Sequence, residues 1–102
     1  LEFLSLCQNS KLESIKSLTG LTNLKELRLY NTKFDDPSYL KDFAQLEKLD
    51  LAECPINYKA YFHLENVGTL RHVVLSKKDT DGINAVNAMI AEGYRLDLAY
   101  EW

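Results

Sequence analysis

Leucine spacing is the feature of this sequence that most restricts how the chain can fold. Leucine accounts for 18 of the 102 residues, and many of these leucines recur with the spacing L-x-x-L-x-L. Four in-phase copies start at residues 1, 24, 46 and 70, and a weaker fifth copy starts near residue 93. The aliphatic residues of the four strong copies are Leu1, Leu4 and Leu6; Leu24, Leu27 and Leu29; Leu46, Leu49 and Leu51; and Leu70, Val73 and Leu75. One copy alone also occurs in amphipathic helices, but four copies in phase indicate a repeat architecture.

The L-x-L core of each copy predicts a short β-strand with one buried face, because side chains alternate between the two faces of a strand. Such short strands cannot bury a core alone, so successive copies are expected to stack into a parallel sheet. The predicted strands lie near residues 3–6, 26–29, 48–51, 72–75 and 95–98. The residues expected to be almost fully buried in this sheet are Leu27, Leu49, Leu51 and Val73.

With its ninth residue included, the pattern L-x-x-L-x-L-x-x-N/T/C resembles the leucine-rich repeat, and the resemblance covers the whole chain. The ninth residues are Asn9, Thr32 and Cys54, but the fourth copy departs with Lys78, so its turn is expected to be remodelled. The spacing of 22 to 24 residues is most similar to that of internalins and phosphatase-regulator proteins. The resemblance implies an α/β solenoid: a right-handed superhelix with a short-stranded parallel sheet on its concave face and helical turns on its convex face.

The segments between the strands carry apolar residues at spacings that predict a helical return along the convex side. Helical turns are predicted near residues 13–18, 37–43 and 58–66, and one clear helix near residues 82–92. The predicted buried stripe of that helix is Ile83, Val86 and Ile90. Asp81 is its expected N-cap, and Gly93 is the residue expected just past its end.

Length and composition restrict the chain to one ordinary folded domain over residues 1–102. The net charge of −3 offers no general reason to bind nucleic acid or an anionic membrane. No apolar run is long enough for a membrane span, and no signal peptide is visible, so a cytoplasmic location is expected. Leu1 already belongs to the first copy, which predicts either a fragment of a longer protein or another element covering this end.

The residues that could support catalysis or metal binding do not combine in the stacked arrangement, so no enzymatic activity, cofactor or metal is predicted. Cys7 and His72 would lie three strands apart, about 14 Å, which is far beyond hydrogen-bond reach. His63 is expected on the convex side. Asp79 and the carboxylate two residues later look like part of a calcium loop, but Lys77 stands where a third oxygen ligand is needed.

The two cysteines are predicted to be free thiols. Cys54 is expected to point inward at a ninth position, whereas Cys7 is expected to point outward two repeats away. Their Cα atoms would be too far apart for a disulfide, which favours a reducing compartment.

The outward-facing residues of the predicted sheet form the candidate binding surface, and they stack in columns. One column reads Glu26, Lys48, His72 and Arg95, and another reads Arg28, Asp50, Val74 and Asp97. A structural interpretation treats Glu26 with Lys48, and Arg28 with Asp50, as cross-strand ion pairs that help to set the register. A functional interpretation treats the surface as a shallow apolar groove with a charged rim, which is typical of protein recognition. The predicted partner-binding residues are Arg28, Tyr30, Asp50, His72, Val74, Glu26 and Lys48.

The leading functional prediction is a protein–protein interaction module that binds a protein or peptide on its concave face. The mixed signs of charge on that face argue against a nucleic-acid partner. One alternative is the substrate-recognition segment of a larger enzyme or effector whose catalytic domain lies outside this chain. Another is a structural role in which the N-terminal edge strand pairs with a second copy. The length of the parent protein would separate the first two, and the oligomeric state in solution would test the third.

Overall fold

Short stretches of alternating leucine and polar residues form a five-stranded parallel sheet in the computed structural model, which describes residues 2–8, 18 and 20–101. The strands are β1 (Phe3–Ser5), β2 (Glu26–Arg28), β3 (Lys48–Asp50), β4 (His72–Ser76) and β5 (Asp97–Glu101). They follow one another across the sheet in chain order. The first four predicted strands are confirmed to within one residue at either end, whereas the fifth begins two residues later than predicted.

The register of the sheet places one inward-facing aliphatic residue of each strand in a continuous row. In chain order this row is Leu4, Leu27, Leu49, Val73 and Leu98. The three central members are completely buried, and so is Leu51 beside them, which confirms the predicted burial. The two end members are only half-buried, because each has a neighbouring strand on one side only.

The fifth strand corrects the predicted register. The prediction aligns Arg95 with His72, but the structure pairs Asp97 with His72. Residues 96–100 alternate in a way that fits both registers, since moving a strand by two residues leaves the same faces inward. The choice between the two registers depends on how many residues the connection from β4 takes up. The helix in this connection ends at Ala91, one residue before its predicted end, so the later start of β5 comes from residues 92–96.

Helical segments connect the strands. The first 3₁₀ helix (Pro37–Asp42) lies between β2 and β3, the second (Ala60–Asn66) between β3 and β4, and α1 (Thr80–Ala91) between β4 and β5. All three lie where the sequence predicts helical turns, although α1 begins two residues early. The turn predicted at 13–18 falls outside the described residues, apart from Leu18. Within the described part of the chain, no helix combines the length and apolar character needed to cross a membrane.

The start of α1 corrects the predicted cap. Asp79, not Asp81, is the N-cap, and its Oδ1 accepts a hydrogen bond of 2.8 Å from the backbone N–H of Gly82. The other carboxylate oxygen of Asp79 accepts a hydrogen bond from the hydroxyl of Tyr61, which lies on the second 3₁₀ helix. The predicted end of the helix is confirmed, because Gly93 adopts φ +107°, a conformation that side chains disfavour.

The core combines the inward residues of the strands with apolar residues of the connections. The buried residues of the connections include Phe34, Leu40, Phe43, Ile56, Leu64, Val67 and the predicted Val86. The stripe predicted for α1 is wrong at Ile90, which is 37% exposed, whereas Ile83 is half-buried and packs against the core. The helix also buries Gly82, Ala85 and Met89. At Gly82 a β-carbon would lie 2.7 Å from Tyr61 Cζ, so the ring of Tyr61 leaves no room for a side chain at that position.

Candidate functional site

Two rows of side chains cover the outward face of the sheet. The first row is Glu26, Lys48, His72 and Asp97, and the second is Arg28, Asp50, Val74 and Ala99. We call these eight residues, with Tyr30 and Ala52 just beyond the strands, the outward face. Neighbouring members of a row are about 4.8 Å apart because they lie on hydrogen-bonded strands. The register therefore brings together six of the seven residues that the sequence predicts as partner-binding, and the seventh, Tyr30, lies two residues beyond Arg28.

Arg28 and Asp50 form an ion pair with very unequal exposure. The distance from Arg28 Nε to Asp50 Oδ2 is 3.7 Å, and the side chains are 40% and 1% exposed. Asp50 Oδ1 also accepts a hydrogen bond of 3.0 Å from the backbone N–H of Ala52. A buried carboxylate depends on such partners, since removing one leaves an uncompensated charge. The accessible member is Arg28, and Asp50 holds it from below instead of presenting its own carboxylate to a partner.

His72 has a different neighbour from the one predicted. The prediction places the cation of Arg95 next to it, whereas the structure places Asp97 there, with 3.4 Å between His72 Nδ1 and Asp97 Oδ2. The two side chains are 55% and 81% exposed, so both are accessible to a partner. Asp97 is therefore a residue of the outward face that the sequence pattern assigns to the wrong position. Only knowledge of how many residues connect β4 to β5 could have placed Asp97 correctly.

The cross-strand pair predicted between Glu26 and Lys48 does not form. The two residues are neighbours in the register, but no ion pair joins them among the described residues. Both side chains are half-buried, so their aliphatic stems lie along the sheet. Their charged groups remain open to a partner.

Tyr30 lies just after β2, beside the most apolar part of the outward face. Its backbone is held on both sides of the residue: its carbonyl accepts a hydrogen bond of 2.7 Å from the N–H of Gln8, and the following N–H bonds to the Ala52 carbonyl at 2.9 Å. Tyr30 and Val74 are half-buried, while Ala52 is completely buried. A partly exposed aromatic residue thus follows β2 next to the small residue Ala52, beyond the strands that carry the charged side chains.

The residues considered for nucleophilic chemistry are not brought together. Cys7 follows β1, His72 begins β4, and His63 is exposed on the second 3₁₀ helix. Cys54 is buried in the turn after β3, where its thiol donates to the Leu29 carbonyl at 3.0 Å. Burial raises the pKa of this thiol, which disfavours the reactive thiolate. Cys54 is therefore a structural residue, as its predicted inward orientation implies.

Metal-binding side chains are also dispersed in this part of the molecule. Over residues 2–8, 18 and 20–101, no three His, Cys, Asp or Glu side chains are close enough to hold an ion together. The carboxylate of Asp79, which the sequence places in a calcium-like segment, caps α1 and accepts from Tyr61. One carboxylate oxygen of Asp79 therefore caps α1, and the other links α1 to the second 3₁₀ helix.

Comparison with known proteins adds no further constraint on the outward face. No model of a known protein family matches this chain. The search of curated proteins also gave no match. The functional argument therefore depends on the geometry of the sheet.

Proposed function

We propose that this chain is a leucine-rich repeat module, an α/β solenoid wound as a right-handed superhelix, that binds a protein or peptide. The parallel strands in chain order and the continuous inward row of aliphatic residues support this proposal. The spacing of 22 to 24 residues between copies over residues 1–93 supports it too. On this proposal the chain acts by binding, without catalytic activity of its own.

The binding surface that we propose is the outward face, which would be concave in a solenoid. The observation that carries the proposal is the half-buried Tyr30, two residues beyond Arg28 and next to Ala52 across the sheet, with charged side chains on the neighbouring strands. Tyrosine and arginine are the residue types that dominate binding energy at protein interfaces. The Arg28–Asp50 ion pair and the Tyr30 backbone hydrogen bonds reduce the entropy lost on binding.

The chemistry of the partner follows from the charges around Tyr30. Arg28, Lys48 and His72 can meet acidic or carbonyl groups, while Glu26 and Asp97 can meet basic groups. This alternation of sign suits a polypeptide with mixed charges and does not suit a phosphate backbone.

The free thiols Cys7 and Cys54 support a reducing compartment, and hence the cytoplasm.

A display selection tests this proposal with peptides of random sequence in place of a defined partner. Random twelve-residue peptides would be selected on the wild-type chain, and the enriched peptides then measured against Tyr30→Ala. We expect the variant to lose about 1–3 kcal/mol of affinity, because it loses the aromatic anchor of the interface. Its unfolding free energy should change by less than about 0.5 kcal/mol, since the ring packs on the surface.

Two further variants serve as controls. Lys41→Ala changes an exposed residue on the first 3₁₀ helix and should leave both affinity and stability unchanged. Tyr30→Phe keeps the ring and removes only the hydroxyl, so it should retain most of the affinity. Enriched peptides that bind Tyr30→Ala as tightly as wild type, but lose affinity with Lys41→Ala, would place the binding surface on the helical side.

A further inference from the structure

A cleft lies outside the outward face, where the chain enters β4 and β5. It has a volume of about 240 Å³ and is bounded by the end of the second 3₁₀ helix, the start of β4 and the turn at residues 93–96. Three of its lining residues, Leu64, Val67 and Leu70, are between 2% and 6% exposed and form its bottom. The exposed side chains of Arg71 and Arg95 also line it, and these lie at its rim.

The cleft exists because one buried leucine is replaced. Each inward residue of β2, β3 and β4 is preceded, three positions earlier, by a leucine that is at most 2% exposed. These leucines are Leu24, Leu46 and Leu70. The observed register of β5 places Leu98 in the inward row, so the equivalent position is Arg95, whose side chain is exposed. The position that a buried leucine occupies before the earlier strands thus carries an exposed arginine here, and the half-buried Leu96 also lines the cleft.

The charge at the rim of the cleft favours an anion. Arg71 Nη1 donates to the carbonyl oxygens of Gly68 at 3.3 Å and Leu70 at 2.8 Å, which fixes the guanidinium while its remaining N–H groups can donate elsewhere. Among the described residues, neither Arg71 nor Arg95 is ion-paired with a carboxylate. Glu65 also lines the cleft, so two positive charges face one negative charge.

We propose that this cleft binds a carboxylate carried next to an aliphatic side chain, with the aliphatic group in the vacant leucine position and the carboxylate on Arg71 and Arg95. Arginine binds carboxylates through paired N–H donors, and the bottom of the cleft is aliphatic. A volume of about 240 Å³ is smaller than that of sites for drug-sized ligands, which start at ~300 Å³, and suits a single side chain. The ligand is the C-terminal residue of a peptide ending in leucine, or a free branched short-chain carboxylate with the same groups.

Nuclear magnetic resonance titration of the wild-type chain tests the chemistry without any mutation. N-acetyl-leucine should shift the backbone amide signals of Gly68, Arg71 and Arg95, with a dissociation constant of about 1–10 mM for so small a probe. N-acetyl-leucinamide, which lacks the charge, should bind at least about tenfold more weakly. N-acetyl-glycine, which lacks the side chain, should also bind at least about tenfold more weakly than N-acetyl-leucine. Equal affinity for all three probes, or no shift at these amides with N-acetyl-leucine, would overturn the proposal.

Two variants then test the cleft, one by filling it together with the loss of one arginine and the other by removing an arginine alone. Arg95→Leu restores the leucine of the earlier strands, so it should fill the cleft and abolish binding of N-acetyl-leucine. Arg71→Ala leaves the cleft open and should weaken binding about tenfold or more. The exposed residue Lys41 provides the matched control, and Lys41→Ala should bind like wild type. If Arg95→Leu binds N-acetyl-leucine as tightly as wild type does, the probe binds outside this cleft.

A last pair of probes identifies the source of the ligand. A hexapeptide ending in leucine with a free carboxylate is compared with 4-methylpentanoate, which has the same branched chain and charge without a peptide. Tighter binding of the peptide than of 4-methylpentanoate, lost on C-terminal amidation, assigns the cleft to polypeptide C-termini. Tighter binding of 4-methylpentanoate assigns it to the free acid. Tyr30→Ala should leave both affinities unchanged, so this result is independent of the outward face.

Discussion

The turns after β2 and β3 differ in backbone conformation from the turn after β4, although the three strands that precede these turns are similar. In the first two, Asn31 and Glu53 adopt φ of 55° and 62°, and the next residue points inward. That residue is Thr32 or Cys54, which is buried and donates to the carbonyl oxygen of Leu29 at 3.0 Å. The equivalent residue after β4 is Lys78, which is exposed. Among non-glycine residues of the described chain, the left-handed conformation is confined to the earlier turns and Gln8.

The difference shows how one side chain decides the course of the connection. A small polar residue can turn under the strand and satisfy a backbone carbonyl, and the chain then continues into a short 3₁₀ helix. Lysine cannot be buried there at low cost, so the chain moves outward and Asp79 caps an α-helix instead. After this helix, residues 92–96 lead into β5, which begins at Asp97 beside His72 and leaves Arg95 in the lining of the cleft.

The largest effect is expected from Leu49→Ala in the regular part of the sheet. Leu49 is completely buried in the central strand, so the variant leaves a cavity and should lose ~2–5 kcal/mol of unfolding free energy. Urea denaturation followed by circular dichroism measures this loss. The matched variant Leu98→Ala, in the same inward row but half-buried, should lose less than half as much. Equal losses would mean that the two regions do not differ in packing.

A smaller loss is expected from Gly82→Ala, which tests how α1 is held. A β-carbon at Gly82 would lie 2.7 Å from Tyr61 Cζ, so the helix or the ring must move. Alanine favours a helix over glycine by about 0.5–1 kcal/mol, but overpacking costs roughly 1–3 kcal/mol, and the clash should prevail. Thermal unfolding should show a lower midpoint for this variant. Gly68→Ala, where a β-carbon meets nothing within 4 Å, is the control and should be as stable as wild type or slightly more so.

In the alkaline range, the unfolding free energy should depend on pH through one contact of the α1 region, the hydrogen bond from Tyr61 to Asp79. Burial raises the pKa of Tyr61, and its hydrogen bond to Asp79 raises it further. The unfolded chain releases this proton near pH 10 while the folded chain keeps it, so stability is intact below that pH and falls above it. The slope from this group is at most about 1.4 kcal/mol per pH unit.

Tyr61→Phe isolates this contribution, because it removes the ionisable group and keeps the ring. Denaturation curves collected between about pH 9 and 11.5 should show a shallower decline for the variant than for wild type. The two slopes should coincide below about pH 9. Parallel slopes above pH 10 would indicate that Tyr61 titrates normally in the folded state and that the α1 contact is open to water.

Thiol labelling gives the smallest effect and tests the turn after β3. Iodoacetamide should modify Cys7, which is partly exposed, at least about tenfold faster than Cys54, which is buried and has a raised pKa. Mass spectrometry should show one rapid addition to the native chain and two in denaturant without reductant. If both cysteines of the native chain are labelled rapidly, the turn after β3 must open to solvent. It would then differ less from the turn after β4. Absence of labelling in denaturant would contradict the free-thiol assignment.

Residue spacing alone was sufficient to locate most of the fold, because a solvent-exposed face and a buried face impose a strict alternation on short strands. Leu27, Leu49 and Val73 could be assigned to the core from this pattern, and the structure buries all three completely. The parallel pairing of successive strands likewise follows from the inability of so short a strand to bury a core alone. The residues of the outward face then follow from the same register.

Three features depended on contacts between segments distant in the sequence. The Asp79 cap was missed because Asp81 offers the same side-chain chemistry, and only the position of Tyr61 selects between them. The burial of Asp50 at an outward position depends on Arg28 above it and the backbone N–H of Ala52 beside it.

The place of β5 is the third feature, and it shows what local pattern can and cannot determine. Alternation determined which side chains of residues 96–100 point inward, since that depends only on the strand itself. It could not determine which residue stands beside His72, because a shift of two residues preserves the alternation. Only the folded connection from β4, which is α1 followed by residues 92–96, set Asp97 there and left Arg95 three positions before the inward Leu98, since register depends on where the preceding connection ends.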